Sequence, residues 1–218
     1  MGFRPHPIFK KITIQKMAQC ENKIFQNIQS TCEHRTVAGI EQTVYLFNRS
    51  DLQNIQYDPE ENGDINKVWS FELKSETTGF TAKGFKRNMS ASFERVVSDD
   101  TVDTWTDSIT LTGYEFDSKA SRNFDQMGDI VAVIDRKGTK ESDGSLIILG
   151  LENGLFVSED SWASGDNNGA RTITLSSLSD AGESMSYYVF DYYKEEGSPA
   201  VLTEQSYEKA IEYLESLL

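Results

Sequence analysis

The stretch DSKASRNFDQMGDIVAVIDRKGTKESDGSLIILGLENGLFVS (117–158) decides how the rest of the chain is read. Asp117 or Ser118 can cap a short helix. Ala120, Phe124 and Met127 then share one face at i, i+4 and i+7, and Gly128 stands where a C′ residue is wanted. Ile130-Val131-Ala132-Val133-Ile134 follows, an apolar run that reads as a buried strand. Asp143-Gly144 turns the chain into Leu146-Ile147-Ile148-Leu149, and GLENGLFVSED (150–160) closes the unit. No catalytic motif lies on this stretch.

Working outward, strand signals dominate. Thr43-Val44-Tyr45-Leu46-Phe47 is β-branched and aromatic and ends at Asn48-Arg49-Ser50-Asp51. Leu52 to Asn66, with DPEENGD inside it, reads as a long exposed loop. From Lys67 to Lys74 the residues alternate, with Trp69, Phe71 and Leu73 on one side and Val68, Ser70 and Glu72 on the other. Thr77-Thr78-Gly79 turns into a strand from Phe80 to Arg87, where Gly84 weakens the strand or marks a bulge. Asn88 to Val97 places Met89, Ala91, Phe93 and Arg95 on one face, and a strand from Trp105 to Tyr114 feeds the helix.

Beyond the central unit, Glu159 to Ala170 is polar and reads as a loop; Arg171–Leu175 and Tyr187–Phe190 read as strands. After Gly197-Ser198-Pro199, Thr203 caps an amphipathic helix carrying Tyr207, Ala210, Ile211, Leu214, Leu217 and Leu218 on its apolar face. Glu204, Glu208 and Glu212 make a like-charged stripe, so that helix must draw its stability from docking. About nine or ten strands with two helices, strand following strand, predict a mainly β fold. It is an antiparallel β-sandwich or barrel with one flanking α-helix and a C-terminal amphipathic helix. Residues 1–38 read as an irregular N-terminal arm, 39–197 as the sandwich and 198–218 as the C-terminal helix.

Composition narrows the function. The 218 residues carry a formal net charge of −14, which disfavours phosphate-gripping nucleic-acid binding. Acidity keeps a protein soluble, and it also keeps a surface from adhering to a passing polyanion. Arg4, Lys10, Lys11 and Lys16 make a basic leader with no apolar h-region after it, and no apolar run is long enough to span a membrane. Cys20 and Cys32 read as free thiols, a disulfide between them being open only in an oxidising compartment.

Chemistry is sparse. With His6 and His34 the only histidines, neither a zinc set nor a nucleophile–base pair can be assembled. Asp58, Glu60, Asn62 and Gly63 imitate the start of an EF-hand loop, but Trp69 occupies the bidentate carboxylate position. Gly150 and Gly154 bracket a segment that opens no helix, so they make no phosphate loop. A glycosidase-like carboxylate pair is nominated by nothing among the 35 acids. Trp69 and Trp105 read as core or interface residues, and Trp162, in the polar stretch, as an anchor against a partner. No catalytic, cofactor or metal residue emerges.

Four segments resemble the tail tube proteins of long-tailed bacteriophages, especially variants from phages and prophages of Bacteroidetes-type hosts. GIEQTVYLFNRSDL (39–52) is similar to that family's opening strand. WTDSITLTGYEFDS leads into a short helix and IVAVIDRKG. GSLIILGLENGLFVSED and NNGARTITLSS then follow in the family's order and spacing. The C-terminal helix and the basic leader stand outside the pattern. The resemblance implies a non-enzymatic virion subunit made in the bacterial host cytoplasm. Its partners would be itself, in hexameric rings stacked head-to-tail into a tube, and other tail proteins. DNA would pass through the lumen without specific binding. The neighbouring expectations are a tail terminator or head–tail connector, and, from another class, a β-sandwich carbohydrate-binding module.

Overall fold

In the computed structural model the described residues are 39–58, 66–84, 88–99, 102–113, 118–137, 145–165, 169–178, 182–196, 201–204 and 206–218. The arm 1–38, with Cys20, Cys32 and the basic leader, lies outside them, as do Asp117, Glu60, Asn62, Gly63, the Asp143-Gly144 turn, the Gly197-Ser198-Pro199 break and the side chains of Ala120 and Phe124. The elements run β1 (Ile40–Asn48), β2 (Leu52–Tyr57), β3 (Lys67–Leu73), β4 (Phe80–Lys83), β5 (Ser90–Val96), β6 (Thr104–Gly113), α1 (Ser118–Asp125), β7 (Ile130–Arg136), β8 (Leu146–Leu149), β9 (Phe156–Trp162), β10 (Arg171–Ser176), β11 (Tyr188–Phe190), β12 (Tyr193–Glu196), β13 (Val201–Glu204) and α2 (Tyr207–Ser216).

Three layers result. A seven-stranded sheet, ordered β2-β3-β11-β8-β7-β1-β4, is the middle one. One of its faces presents Val44, Leu46, Ala132, Ile134, Ile147 and Leu149 to Ile109, Leu111, Ile173 and Leu175 of a four-stranded sheet, ordered β5-β6-β10-β9. Its other face presents Phe47, Val131, Val133, Ile148, Phe71 and Phe190 to Ala210 and Leu214 of α2. That is why Ile130–Asp135 has no polar alternation: neither face of β7 meets water. β12 and β13 form a separate hairpin.

The fold is mainly β, but two features of the expected architecture are corrected. β11 pairs with β3 in parallel, so the large sheet is mixed. No short turn joins those distant strands, and nothing local dictates their direction. The sheets stay open, with β2 and β4 at the edges of one and β5 and β9 at the edges of the other, so they form no closed barrel.

Two further corrections concern strands whose side chains are largely exposed. Leu52 to Asn66 is not all loop, because β2 pairs antiparallel with β3 and tucks Leu52 and Ile55 against the core. Glu159 to Trp162 belongs to β9. In β3 the register steps from Ser70 to Val68 while β2 steps from Gln56 to Tyr57. Trp69 is thus an extra, bulged residue; it meets the Tyr193 ring at 4.9 Å, while Val68 joins Phe71 in the core beneath α2. The left-handed residue after α1 is Asp129 (φ 54°) rather than Gly128.

The C-terminal segment departs further. Thr203 is in β13, and the α2 cap is Ser206, whose Oγ accepts from Lys209 N at 3.4 Å. Glu204 is therefore not on the helix, and Glu212 is paired with Lys209, which breaks up the expected acidic stripe. α2 docks within its own chain. Leu214 is fully buried, worth about 1.5–3 kcal/mol; Tyr213 OH donates to the Phe71 carbonyl, and Gly79 N–H donates to Leu217 O at 2.7 Å.

Candidate assembly surface

In the four-stranded sheet, register assigns every side chain to a face. β6 pairs with β5 and β10, and β10 with β9, all antiparallel. Ile109, Leu111, Ile173 and Leu175 point into the sandwich. The residues between them point away. These are Thr106, Ser108 and Thr110 from β6, with Thr112 buried at the end of the row and donating to Asn88 O, and Thr172, Thr174 and Ser176 from β10. β5 adds Ser90, Ser92 and Glu94, and β9 adds Glu159 and Ser161. The result is a carpet of hydroxyls, with the Thr110 and Thr174 Oγ1 atoms 3.3 Å apart. Its charged members are Glu94 and Glu159, and no Lys or Arg stands on it among the described residues. Phe156 and Val96 close its rows at one end.

The edges of this sheet are long. β5 and β9 run seven residues each, and both are exposed along most of their length. The large sheet, by contrast, ends in the four-residue β4 and in β2, whose register shifts twice. Long edges are templates for another strand, and β9 carries one irregularity of its own, between Val157 and Glu159. β9 also carries Trp162, 57% exposed, with Nε1 donating to Gly169 O at 3.0 Å. Opposite Arg171 in register, Trp162 leans to the sandwich side of the sheet.

Two buried carboxylates hold the small sheet to the end of β8. Gly150 (φ 71°) and Gly154 (φ 79°) shape a tight loop, and a Cβ on Gly154 would overlap Asp129 Oδ1. Asp107 of β6, 1% exposed, accepts from Gly150 N at 2.9 Å, and its Oδ1 has no hydrogen-bond partner. Glu183, also 1% exposed, accepts from Glu152 N at 2.9 Å and Asn153 N at 3.0 Å, while its backbone bridges Trp105. Glu152 in turn accepts from Ser184 N at 2.7 Å and from the Ser184 and Tyr188 hydroxyls. Arg49 ties the loop to β1, with Nε donating to Asp129 at 2.6 Å and Nη1 to Glu152 O at 3.0 Å.

Burial pushes the Asp107 carboxyl up to about 7 against the pull of the Gly150 N–H, and the Glu183 and Glu152 charges push the same way. Burial likewise raises Glu183, opposed by its two loop N–H donors. Burial also works against ionising Glu152, but the Ser184 and Tyr188 donors outweigh it and hold that carboxyl below its ordinary value. Asp107 and Glu183 are sealed from solvent and engaged with loop N–H donors, the arrangement of a latch between sheets. Sequence reading singled out neither Asp107 nor Glu183. The hydroxyl carpet, however, was visible as alternating Thr and Ser in TWTDSITLTG and RTITLS.

The other candidate residues are scattered. Asp58 is buried with its N–H on Lys67 O at 3.0 Å, and Trp69 is bulged against Tyr193. Among the described residues no group of three or more His, Cys, Asp or Glu side chains could hold a metal ion, and no helix is long and apolar enough to cross a membrane. Trp105 packs on Phe93 at 5.8 Å beneath the Arg95 guanidinium. The three tryptophans thus sit on β3, β6 and β9 with different neighbours and build no shared platform. Comparison of the chain with protein-family models, with curated proteins and with solved structures finds no match.

Proposed function

We propose that this chain is a structural subunit of the phage tail tube kind, which self-assembles into rings around a DNA-conducting lumen. The observation that carries this reading is the four-stranded sheet: hydroxyl-covered on its outward face and open along both seven-residue edges. β5 and β9 run in opposite directions. Copies rotated about an axis along the strands therefore bring β9 of one beside β5 of the next in antiparallel pairing, and repetition closes the sheets into one barrel. Closure removes the exposed edges, which supplies a physical reason for their length.

The hydroxyl face would line the bore. A surface of Ser and Thr with Glu94 and Glu159, and without Lys or Arg among the described residues, offers phosphate no counter-charge, so DNA would slide past it. Stacking of hexameric rings, and the joining of other tail proteins at the tube ends, would extend the assembly. The test is negative-stain electron microscopy with sedimentation velocity on the purified chain. Rings or tubes with a central bore support the reading; a protein monomeric at every concentration sinks it.

A further inference from the structure

Two passages of the chain between the sheets meet at one end of the sandwich. From β8 the chain enters the small sheet through 150–155, and it returns from β10 to β11 past Gly182, Glu183 and Ser184. The outgoing loop is bracketed by Gly150 and Gly154, both left-handed, and by the buried side chains of Leu149 and Leu155. Its N–H groups at Gly150, Glu152 and Asn153 all point at carboxylates, the first at Asp107 and the other two at Glu183. Asn153 Nδ2 donates to Gly182 O at 2.9 Å and Glu152 accepts from Ser184 N, so the loop and the return segment hold each other. Leu151 is the loop's buried apolar side chain.

Asp107 is the weak point of this arrangement. Its Oδ2 accepts from Gly150 N, while its Oδ1 is buried with no hydrogen-bond partner among the described residues. Nothing that faces it supplies a positive charge. Glu183 and Glu152 carry like charge, β5 places Phe93 opposite it, and Ser177 is engaged with its backbone. Arg49 bonds to Asp129 and to the Glu152 carbonyl, and its charge reaches Glu183. Tyr188 donates to Glu152 and packs on Tyr57; burial holds both phenols above their ordinary value, so neither titrates alongside Asp107. A proton on Asp107 removes a charge that the closed site cannot solvate. Without that proton the carboxylate needs water at Oδ1, and a loop between two glycine hinges can move to admit it.

We propose that Asp107 and the loop 150–154 form a proton-operated latch: protonated Asp107 keeps the loop shut, and loss of the proton lets it swing out about Gly150 and Gly154 while both sheets stay folded. Opening parts the Glu152 and Asn153 N–H groups from Glu183 and loosens the sheets at this end alone. The latch belongs to the single chain and does not rest on self-assembly. Burial pushes the Asp107 carboxyl up to about 7, so the shut loop is favoured most below the ordinary value of 3.8. That advantage is lost as pH rises towards about 7 and levels off beyond. Glu183, also raised by burial, acts in the same direction, whereas Glu152, held below its ordinary value, stays ionised from pH 5 upward.

Amide hydrogen exchange of the full chain from pH 5 to pH 8, read by mass spectrometry and corrected for the intrinsic rate, tests the latch. Protection of a peptide spanning 150–155 is expected to fall by more than about tenfold over that range. A peptide from β7, which is paired on both sides, should stay far better protected at every pH. Asp107→Asn, with its fold checked by far-UV circular dichroism, should lose most of the fall. Independently, the Asp107 carboxyl carbon of the wild type should titrate near pH 7 by carbon NMR. Loop protection that is unchanged with pH, or that equals the protection of β7, overturns the latch, as does a folded Asp107→Asn that keeps the full fall. A carboxyl midpoint below about 5 overturns it too, whether or not the variant folds.

Discussion

The two sheets of this molecule solve opposite problems with the same backbone geometry. The seven-stranded sheet is covered by the small sheet on one face and by α2 on the other, and its interior strand β7 is apolar at five successive positions, Ile130 to Ile134. The four-stranded sheet buries one face only and leaves hydroxyls on the other. Covering both faces of a sheet favours stability; among the described residues the small sheet leaves one face and both edges uncovered. The loop at Gly150–Gly154 joins the two sheets, because Asp107 and Glu183 reach the end of β8 there.

Substitutions can break or sharpen that contrast. The largest effect is expected in the covered sheet. Phe47→Ala removes a fully buried ring that packs edge-on to Phe71 at 5.2 Å, and should cost about 3–5 kcal/mol in urea unfolding. The latch between sheets comes next. An acid whose pKa is raised on folding keeps its proton longer in the native state than in the unfolded chain. Wild-type stability should therefore fall as pH rises from the ordinary value of 3.8 towards about 7, and level off beyond. Asp107→Asn should remove that part of the fall, leaving the variant about 2–4 kcal/mol more favourable relative to wild type at pH 8 than at pH 4. Glu183, raised in the same direction, adds to that fall, while Glu152, held below its ordinary value, adds stability as pH rises through the acid range. Unfolding midpoints at the two pH values check the sign, and an unchanged slope would exclude Asp107 as its source.

Smaller again is Gly154→Ala, which forces a left-handed residue against Asp129 and should cost about 1–3 kcal/mol by thermal melting. The smallest effect belongs to the bare face. Ser92→Lys and Thr106→Lys on the hydroxyl carpet should each shift monomer stability by less than about 0.5 kcal/mol. A cost of several kcal/mol there would mean that the face is covered after all. In assembled material the same lysines should introduce salt-sensitive retention of duplex DNA that the wild type lacks.

Legibility in the sequence followed burial. Strands with a buried face announced themselves through alternation or unbroken apolar runs, as in β1, β6, β7 and β8. Those with weak burial did not: LQNIQY of β2 and the SEDSW part of β9 carry as many polar residues as a loop does, and only pairing with β3 and β10 makes them strands. The Trp69 bulge was equally hidden, since strict alternation assumes one residue opposite one. Of the candidate surface, the Thr and Ser alternation and the prominence of Trp162 could be read in advance. That Trp162 ends an edge strand could not.

What the chain's order of residues determined by itself is the mainly β character, the buried apolar strands at Ile130–Ile134 and Leu146–Leu149, and an amphipathic helix near the C-terminus. Those are local signals, set by which side chains water rejects and how often they recur. Tertiary structure alone decided that Asp107 and Glu183 meet one loop from segments far apart, that β11 joins β3 in parallel, and that α2 covers its own sheet rather than another copy's. Each depends on contacts between residues tens of positions apart, where no periodicity reaches and only packing and hydrogen-bond satisfaction choose the partner.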